Sequence, residues 1–168
     1  MKVEESGAPE YCRRSTVKGE VEQMFLGQYQ HSIDNKGRLT IPSRFRELLA
    51  ADGAYILQGF DRNLIVLPEP AFDLISKRVN SLSMTDATAR ALRRLIFSTA
   101  QRVDTDRTGR ILIPDFLRQT ANLATEAMLI GAGAYFEIWS PDLWGQQVAQ
   151  IQDDDSYGQR FALLDLSI

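Results

Sequence analysis

The feature that most constrains the fold is an internal repeat: the sequence superposes on itself without a gap at an offset of 72 positions. The identical or similar pairs include Asp34/Asp106, Gly37/Gly109, Arg38/Arg110, Leu39/Ile111, Ile41/Ile113, Pro42/Pro114, Phe45/Leu117, Arg46/Arg118 and Phe72/Trp144. Two copies are too few for a solenoid, which needs at least about three repeats to bury the repeat faces. We therefore expect two small modules that pack on each other within one chain.

Each copy contains the same order of short strands and helices. Its central motif is Asp-x-x-Gly-Arg, in which the glycine can take a positive φ in a tight turn before a strand begins. Pro42 suits the first turn of a helix, where its missing N–H costs nothing. In the first copy we predict strands over 28–33, 38–41, 54–58 and 64–67, a helix over 43–49 and a helix that begins near Glu69.

The second copy predicts a strand ending at 105, strands over 110–113, 127–130 and 135–139, a short helix ending at 122, and a helix from 141 to about 151. Between the copies, Thr85 and Asp86 are good N-cap residues for a helix that runs to about 99. We expect its arginines Arg90, Arg93 and Arg94 on a solvated face. The aromatic residues Phe136, Trp139 and Trp144 occupy apolar-periodic positions and are expected in the core.

Composition excludes several classes of protein. The single cysteine, Cys12, excludes an internal disulfide and cysteine-rich zinc sites. No apolar run approaches the 18 or more residues that a membrane span requires, and the first twenty residues lack the apolar core of a secretory signal. We therefore expect a cytoplasmic protein that has no membrane partner.

The net charge of −3 argues against a nucleic-acid partner, but the charges are unevenly distributed. Residues 24–118 carry fourteen basic and ten acidic side chains, a net charge of +4. Residues 119–168 carry one basic and seven acidic side chains, a net charge of −6. The middle of the chain can therefore present a positive surface to DNA.

Four segments together resemble the MraZ family of bacterial transcriptional regulators, which belongs to the AbrB-like swapped-hairpin superfamily. They are Met24-Phe25-Leu26-Gly27, the stretch from Asp34 to Pro42, the stretch from Asp106 to Pro114, and Phe136-Glu137-Ile138-Trp139-Ser140. The resemblance covers about residues 24–150 and implies an α+β fold in which two tandem modules form a pseudo-dimeric swapped-hairpin β-barrel with flanking helices. It also implies a homo-oligomeric ring, association with the nucleoid, and binding to short direct repeats upstream of the protein's own operon in the cell-division and cell-wall gene cluster.

The resemblance also sets the expected domain boundaries. Members of the family usually start at the position of Met24, so residues 1–23 are expected to be a dispensable, disordered extension. The remaining boundaries are a first AbrB-like repeat over 24–84, a linker helix over 85–100, a second repeat over 101–151 and an acidic tail over 152–168. In that tail, Asp153-Asp154-Asp155 is expected to be solvated, because three adjacent carboxylates cannot all converge on one ion.

The two turns supply the candidate DNA contacts. Arginine and lysine can donate to guanine, and asparagine can contact adenine or a phosphate. The residues assigned to DNA binding are Asn35, Lys36, Gly37, Arg38, Thr40, Arg44, Arg107 and Thr108. The residues assigned to a structural turn and its ion pair are Asp34, Asp106, Gly109 and Arg110. Leu112 replaces Thr40 in the second copy, so that strand suits burial on both faces or a subunit contact, and its turn is the less favoured DNA contact.

Two other classes of function compete with DNA binding. One is an oligomeric scaffold or antitoxin-like partner that holds another protein, and the other is an enzyme that uses carboxylates alone. The sequence contains one histidine and lacks a phosphate-binding glycine-rich loop or an HExxH motif. We therefore expect neither catalysis, nor a cofactor or metal, nor a small-molecule substrate.

Overall fold

The computed structural model describes residues 24–50 and 53–153, together with Phe161 and Leu164. The expected extension over 1–23 lies outside these residues, and so does most of the expected acidic tail. The order of elements is β1 (Gln28–Ser32), β2 (Arg38–Thr40), α1 (Ser43–Leu49), β3 (Ala54–Gln58), β4 (Leu64–Pro68), α2 (Glu69–Ser81), α3 (Ala87–Thr99), β5 (Gln101–Val103), β6 (Arg110–Leu112), α4 (Asp115–Thr120), β7 (Glu126–Gly131), β8 (Phe136–Trp139) and α5 (Pro141–Asp153). All the predicted elements are present in the predicted order, and the predicted ends are wrong by at most two residues.

A proline precedes the start of α1, and an aspartate caps the start of α3. Pro42 has an extended ψ of 141° and lies just outside α1, where its carbonyl oxygen accepts the first helical hydrogen bond from the Arg46 N–H at 3.0 Å. Pro42 therefore lies immediately before the helix, whose predicted range over 43–49 is confirmed, and it is not itself a helical residue. At α3, the Asp86 carboxylate caps the helix by accepting from the Thr88 N–H at 2.9 Å, as predicted.

The strands of the two copies are exchanged between one another. A six-stranded antiparallel sheet has the order β1-β7-β8-β4-β3-β5, and β2 pairs with β6 in a separate two-stranded ladder. The first strand of each copy therefore pairs with the third strand of the other copy, as β1 does with β7 and β5 with β3. Equivalent strands meet at the centre of the large sheet, where β4 pairs with β8.

The α+β class and the two tandem modules are confirmed, but the described strands do not close into one barrel. Within the described ranges, β1 and β5 each have a single partner and form the two edges of the large sheet. The ladder of β2 and β6 contains only three residues on each side, from Arg38 opposite Leu112 to Thr40 opposite Arg110. The ladder is joined to the edge of the larger sheet by an isolated antiparallel bridge between Leu39 and Ile33, the residue after β1.

One apolar core joins the two copies. It combines Leu39 and Phe45 of the first copy with Ile111, Leu117 and Phe136 of the second, and each of these side chains is at most 1% exposed. A second, smaller core packs α2 and α3 against the sheet. The burial of Phe136 and Trp139 confirms their predicted place in the core, whereas the same prediction is wrong for Trp144, which is only half-buried. Because the main core needs side chains from both copies, neither copy can bury its apolar face alone.

Gly109 provides a test of how closely the two copies approach. Its φ is +76°, and a Cβ atom at this position would overlap the guanidinium of Arg46 from the other copy. Gly133 has a similar φ of +79°, but no atom of the described residues lies within 4 Å of such a Cβ. Gly109→Ala should lower the melting temperature more than Gly133→Ala, because both pay about 1–2 kcal/mol for the left-handed backbone but only the first displaces Arg46. Equal losses in thermal denaturation would show that the Arg46 contact imposes no constraint.

Candidate nucleic-acid interface

The first turn is held by the carboxylate of Asp34. One carboxylate oxygen accepts hydrogen bonds from the backbone N–H groups of Lys36 and Arg38, both at 2.9 Å, and the other accepts from Arg38 Nε at 2.7 Å. The Gly37 N–H donates to the Asp34 carbonyl at 2.9 Å, with Gly37 at a φ of +81°. Asp34 thus fixes both the turn and the orientation of the Arg38 side chain.

The second turn has the same geometry with one additional contact. Asp106 accepts from the backbone N–H groups of Thr108 and Arg110 at 2.9 and 3.0 Å and from Arg110 Nε at 2.9 Å. The Thr108 hydroxyl also donates to this carboxylate, at 2.8 Å. The side chain of Thr108 is therefore partly engaged within the turn, whereas Lys36 at the equivalent position of the first turn is not.

These hydrogen bonds stabilise the ionised form of both carboxylates. The Arg38 N–H is the largest cause that lowers the pKa of Asp34, with the Arg38 side chain and the Lys36 N–H adding to it and partial desolvation opposing it. The pKa of Asp106 is lowered well below its usual range, chiefly by the Arg110 N–H and then by the Arg110 and Thr108 side chains. Both turns therefore carry ionised aspartates at neutral pH.

The two turns lie at opposite ends of the β2–β6 ladder and are joined through it. The Ile41 N–H donates to the Gly109 carbonyl at 2.9 Å, and the Ile113 N–H donates to the Gly37 carbonyl at the same distance. Arg110 Nη1 also approaches the Asp34 carboxylate at 3.4 Å, so Arg110 contacts the aspartates of both turns. Each turn is consequently held in place by the other copy.

The outer face of the ladder is the exposed one. Leu39 and Ile111 point into the core, so that Arg38, Thr40, Arg110 and Leu112 alternate onto the opposite face. Leu112 is 57% exposed, and the expectation that its strand is buried on both faces is therefore wrong for the single chain. The apolar pattern gave a wrong prediction of burial because the sequence alone does not show whether a single leucine in a strand is exposed or buried.

Several of the predicted site residues are free to contact a ligand. The side chains of Asn35, Lys36, Arg44 and Arg107 are exposed and make no hydrogen bond or ion pair to the described part of the protein. Arg38 is anchored only through Nε, and its two terminal nitrogens have no acceptor among the described residues. The hairpins bring Asn35, Lys36 and Arg38 together at one end of the ladder, while Arg44 follows in α1.

The arginines of the linker helix are engaged elsewhere. Arg90 donates to the carbonyl groups of Met84 and Thr85, and Arg93 donates to those of Asn80 and Leu82. They thus hold the connection between α2 and α3, a role that the sequence did not predict. Sequence reasoning also missed Arg46 and Arg118, which each lie against the turn glycine of the opposite copy. Their identity at the 72-position offset was the available signal.

The described residues contain no candidate for a membrane span or a metal site. No helix there combines the length and the apolar character that crossing a bilayer requires. No group of three or more histidine, cysteine, aspartate or glutamate side chains lies close enough together there to hold a metal ion.

The fold and the paired turns define an α+β tandem-repeat protein with two interlocked Asp-x-x-Gly-Arg hairpins. The chain belongs to the MraZ family, whose model, described as "MraZ protein, putative antitoxin-like", matches residues 24–95 and again residues 96–164. The resemblance inferred from the sequence motifs is therefore confirmed, and the double match corresponds to the internal repeat.

Similar proteins cover most of the chain and carry the name "Transcriptional regulator MraZ". The relative from Thermomicrobium roseum is 44% identical over 142 residues, which span 84% of this chain and 99% of the relative. The relative from Roseiflexus castenholzii is 43% identical over 143 residues with the same coverage, and that from Dictyoglomus thermophilum is 45% identical over 121 residues, 72% of this chain and 82% of the relative.

The lowered pKa values predict how the turns respond to acid. A carboxylate whose pKa is lowered by folding contributes stability above its unfolded pKa and loses that contribution as the pH falls towards its folded pKa. The double variant Asp34→Asn/Asp106→Asn should therefore melt below wild type at pH 7, and the gap should narrow as the pH falls from about 4 to about 2. Circular dichroism melts across this range measure the gap.

The control for this experiment is Asp73→Asn, on the exposed side of α2. The Asp73 side chain has no hydrogen-bond or ion-pair partner among the described residues, so its replacement should change the melting temperature little. A gap between wild type and the double variant that stayed constant from pH 7 to pH 2 would contradict the proposed role of the two ionised aspartates.

Proposed function

We propose that the chain is a sequence-specific DNA-binding transcriptional regulator whose first turn supplies the main base contacts. The observation that carries this proposal is the pairing of exposed Lys36 with an Arg38 whose terminal nitrogens have no acceptor among the described residues. The names of the relatives support it. We propose the same targets that the resemblance implies, which are short direct repeats in the promoter of the protein's own operon, within the cell-division and cell-wall gene cluster.

Arg38 is suited to a base contact because its side chain is already oriented. Asp34 holds Nε, and the fork formed by the terminal nitrogens can then donate to O6 and N7 of one guanine in the major groove. Less rotamer entropy is lost on binding when a side chain is fixed beforehand. Asn35 and Thr40 are proposed as neighbouring base or phosphate contacts, whereas Gly37, which was also assigned to DNA binding, is buried against Arg118 and serves the turn.

Lys36 and Arg44 are proposed as phosphate contacts. A flexible ammonium group is a good partner for a phosphate oxygen and carries no sequence information by itself. Arg107 and Thr108 of the second turn are proposed as secondary contacts. Arg110 is assigned to structure, since it contacts the carboxylates of both Asp106 and Asp34.

Assembly is part of the proposal, because one hairpin neutralises few phosphates. A homo-oligomeric ring would present several hairpins to tandem sites and raise affinity through effective concentration, even for a chain with a net charge of −3. Leu112 and Phe116 are 57% and 45% exposed, and we propose that they contact a neighbouring subunit. Leu112 lies opposite Arg38 in the ladder, so such a contact would place the first turns of neighbouring subunits close together.

We also propose that the two modules represent an AbrB-like swapped-hairpin arrangement in pseudo-dimeric form. The support is the exchange of strands between the copies and the pairing of the equivalent strands β2 and β6. Such a protein would act in the cytoplasm at the nucleoid and would require no cofactor.

The rival function is a scaffold or antitoxin-like partner that binds another protein. The family description contains the term antitoxin-like, and the exposed pair Leu112 and Phe116 could serve that role. Gel shifts with the DNA upstream of the protein's gene separate the two. DNA binding should weaken steeply with added salt because counterions are released from the phosphates, whereas a protein scaffold should show no affinity for the duplex.

The roles of the two turns are tested by Arg38→Ala and Arg110→Ala. Arg38→Ala should cost about 1–3 kcal/mol of binding free energy per engaged subunit and relax base preference at one position. Arg110→Ala should instead lower the melting temperature, because it removes the side chain that contacts both aspartates. Circular dichroism first establishes that each variant is folded. Wild-type affinity in folded Arg38→Ala, with loss only in folded Arg110→Ala, would reverse the assignment.

Lys36→Ala tests the phosphate contact separately. It should weaken binding to all duplexes alike and make the dependence of log affinity on log salt shallower by about one unit. Its melting temperature should stay close to wild type, since the Lys36 side chain has no partner in the described structure and the substitution keeps the backbone N–H. A change in base preference without a change in the salt slope would contradict the phosphate assignment.

Assembly is tested by giving the second copy the residues of the first. The double variant Leu112→Thr/Phe116→Arg carries the side chains found at Thr40 and Arg44, which this fold already accommodates at equivalent positions. Wild type should be larger than a dimer by light scattering, and the variant should be smaller. A wild-type mass near that of the 18.9 kDa chain at micromolar concentration would end the proposal of a ring.

A further inference from the structure

Two equivalent arginines reach across from one copy to the turn of the other. Arg118 of α4 lies against Gly37, where a Cβ atom would be 2.9 Å from Arg118 Nε. Arg46 of α1 lies against Gly109 so closely that a Cβ atom there would overlap its guanidinium. Each turn therefore has, beneath its glycine, a guanidinium supplied by the other copy.

The two guanidinium groups differ in their partners. Arg118 Nη2 donates to the Asp115 carboxylate at 3.0 Å, one helical turn earlier. The position equivalent to Asp115 in the first copy is Ser43, which carries no charge. The Nε atoms of both arginines are buried without an acceptor, but the terminal nitrogens of the Arg46 side chain, unlike those of Arg118, also make no hydrogen bond or ion pair within the described residues.

The surroundings of Arg46 add further positive charge. Arg107 lies two residues before Gly109, and its exposed side chain also has no partner among the described residues. Asp106 and Arg110 compensate each other through their ion pair. Asp104, two residues before the turn, lines a shallow cavity with Leu49 and Ile111 and makes no ion pair with Arg46. The second turn thus retains two uncompensated cations from two different copies.

We propose that Arg46 and Arg107 form a binding site for a phosphodiester group at the second turn. The Arg46 guanidinium lacks the carboxylate partner that Arg118 has in Asp115, and a phosphate oxygen is the acceptor that its planar fork fits best. The inference rests on the proposed DNA-binding function and deepens it. The first turn contacts bases, and the second turn, completed by Arg46, anchors the DNA backbone.

The most direct test of the site retains Arg46 and compensates its charge. Ser43→Asp places a carboxylate where Asp115 stands in the other copy, so it should pair with Arg46 and compensate its charge without disturbing the exposed start of α1. We expect Ser43→Asp and Arg46→Met to weaken binding to the upstream DNA and to an unrelated duplex by the same factor, about tenfold per engaged subunit. The salt slope should become shallower by about one unit. Arg118→Met is the matched control and should leave both quantities near wild type.

The source of the phosphate is tested on the DNA itself. Methylphosphonate groups, which remove one backbone charge each, are introduced singly along the upstream duplex. For each bound subunit, a methylphosphonate at one position should weaken binding by wild type and should have no effect on binding by Ser43→Asp. Base preference should stay unchanged in Ser43→Asp, in contrast to Arg38→Ala, so loss of this site and loss of the base contact are distinguishable.

A second measurement needs no DNA. Melting temperatures are compared in inorganic phosphate and in chloride at equal ionic strength for wild type and Ser43→Asp. The general stabilisation by phosphate is common to both proteins, so only the difference between them reports the site. A larger rise in wild type would indicate that the site also accepts free phosphate, and an equal rise together with methylphosphonate interference would restrict it to DNA.

Three results would overturn the inference. The first is a folded Arg46→Met protein with lower thermal stability but wild-type duplex affinity and salt slope, which would make Arg46 a steric support for Gly109. The second is an equal loss of affinity in Arg118→Met. The third is a wild-type protein that binds no duplex and gains no more stability from phosphate than Ser43→Asp does. Absence of duplex binding would contradict the proposed function, and the equal phosphate response would contradict the anion site.

Discussion

The backbone hydrogen bonds between each turn glycine and the opposite copy are the constraint on which the rest of the structure depends. The Gly37 and Gly109 carbonyls accept from Ile113 and Ile41, and the three-residue ladder between β2 and β6 lies between these two bonds. They fix the depth at which Leu39 and Ile111 enter the common core. They also fix the turns, and with them the direction in which the cationic side chains leave the surface.

A symmetric backbone carries asymmetric side chains. The two Asp-x-x-Gly-Arg turns have nearly the same hydrogen bonds, yet Lys36 is replaced by Thr108, whose hydroxyl folds back onto Asp106. Ser43 is replaced by Asp115, which pairs with Arg118, whereas Arg46 has no carboxylate partner in the part of the chain that the structure describes. The fold tolerates these differences because all of them lie on exposed positions around a shared core. Duplication thus supplies the framework, and a few surface substitutions determine the chemistry of each end.

Much of the local structure could be predicted from the sequence, because its signals are local. The turn motif, the proline before each short helix and the cap at Asp86 each act within a few residues. Strand pairing could not be predicted this way, since alternation indicates a strand but not its neighbour. The exchange of β1 onto β7, the open edges of the large sheet and the contact of Arg46 with Gly109 all depend on how the copies approach each other. The family resemblance anticipated an exchange of hairpins but not the two separate sheets.

The helix α3 joins two halves that otherwise resemble the subunits of an intertwined dimer. Because the halves share one polypeptide, each finds its complement at a local concentration that dilution of the protein does not change. A separate dimer would lose stability as it was diluted, whereas this chain should not. Many of its contacts between the halves join positions more than 70 residues apart, such as Leu39 and Ile111. Folding must therefore close long loops, which makes it slower. Because the halves are separate segments of one chain, their sequences can differ, whereas the two subunits of a homodimer are always identical.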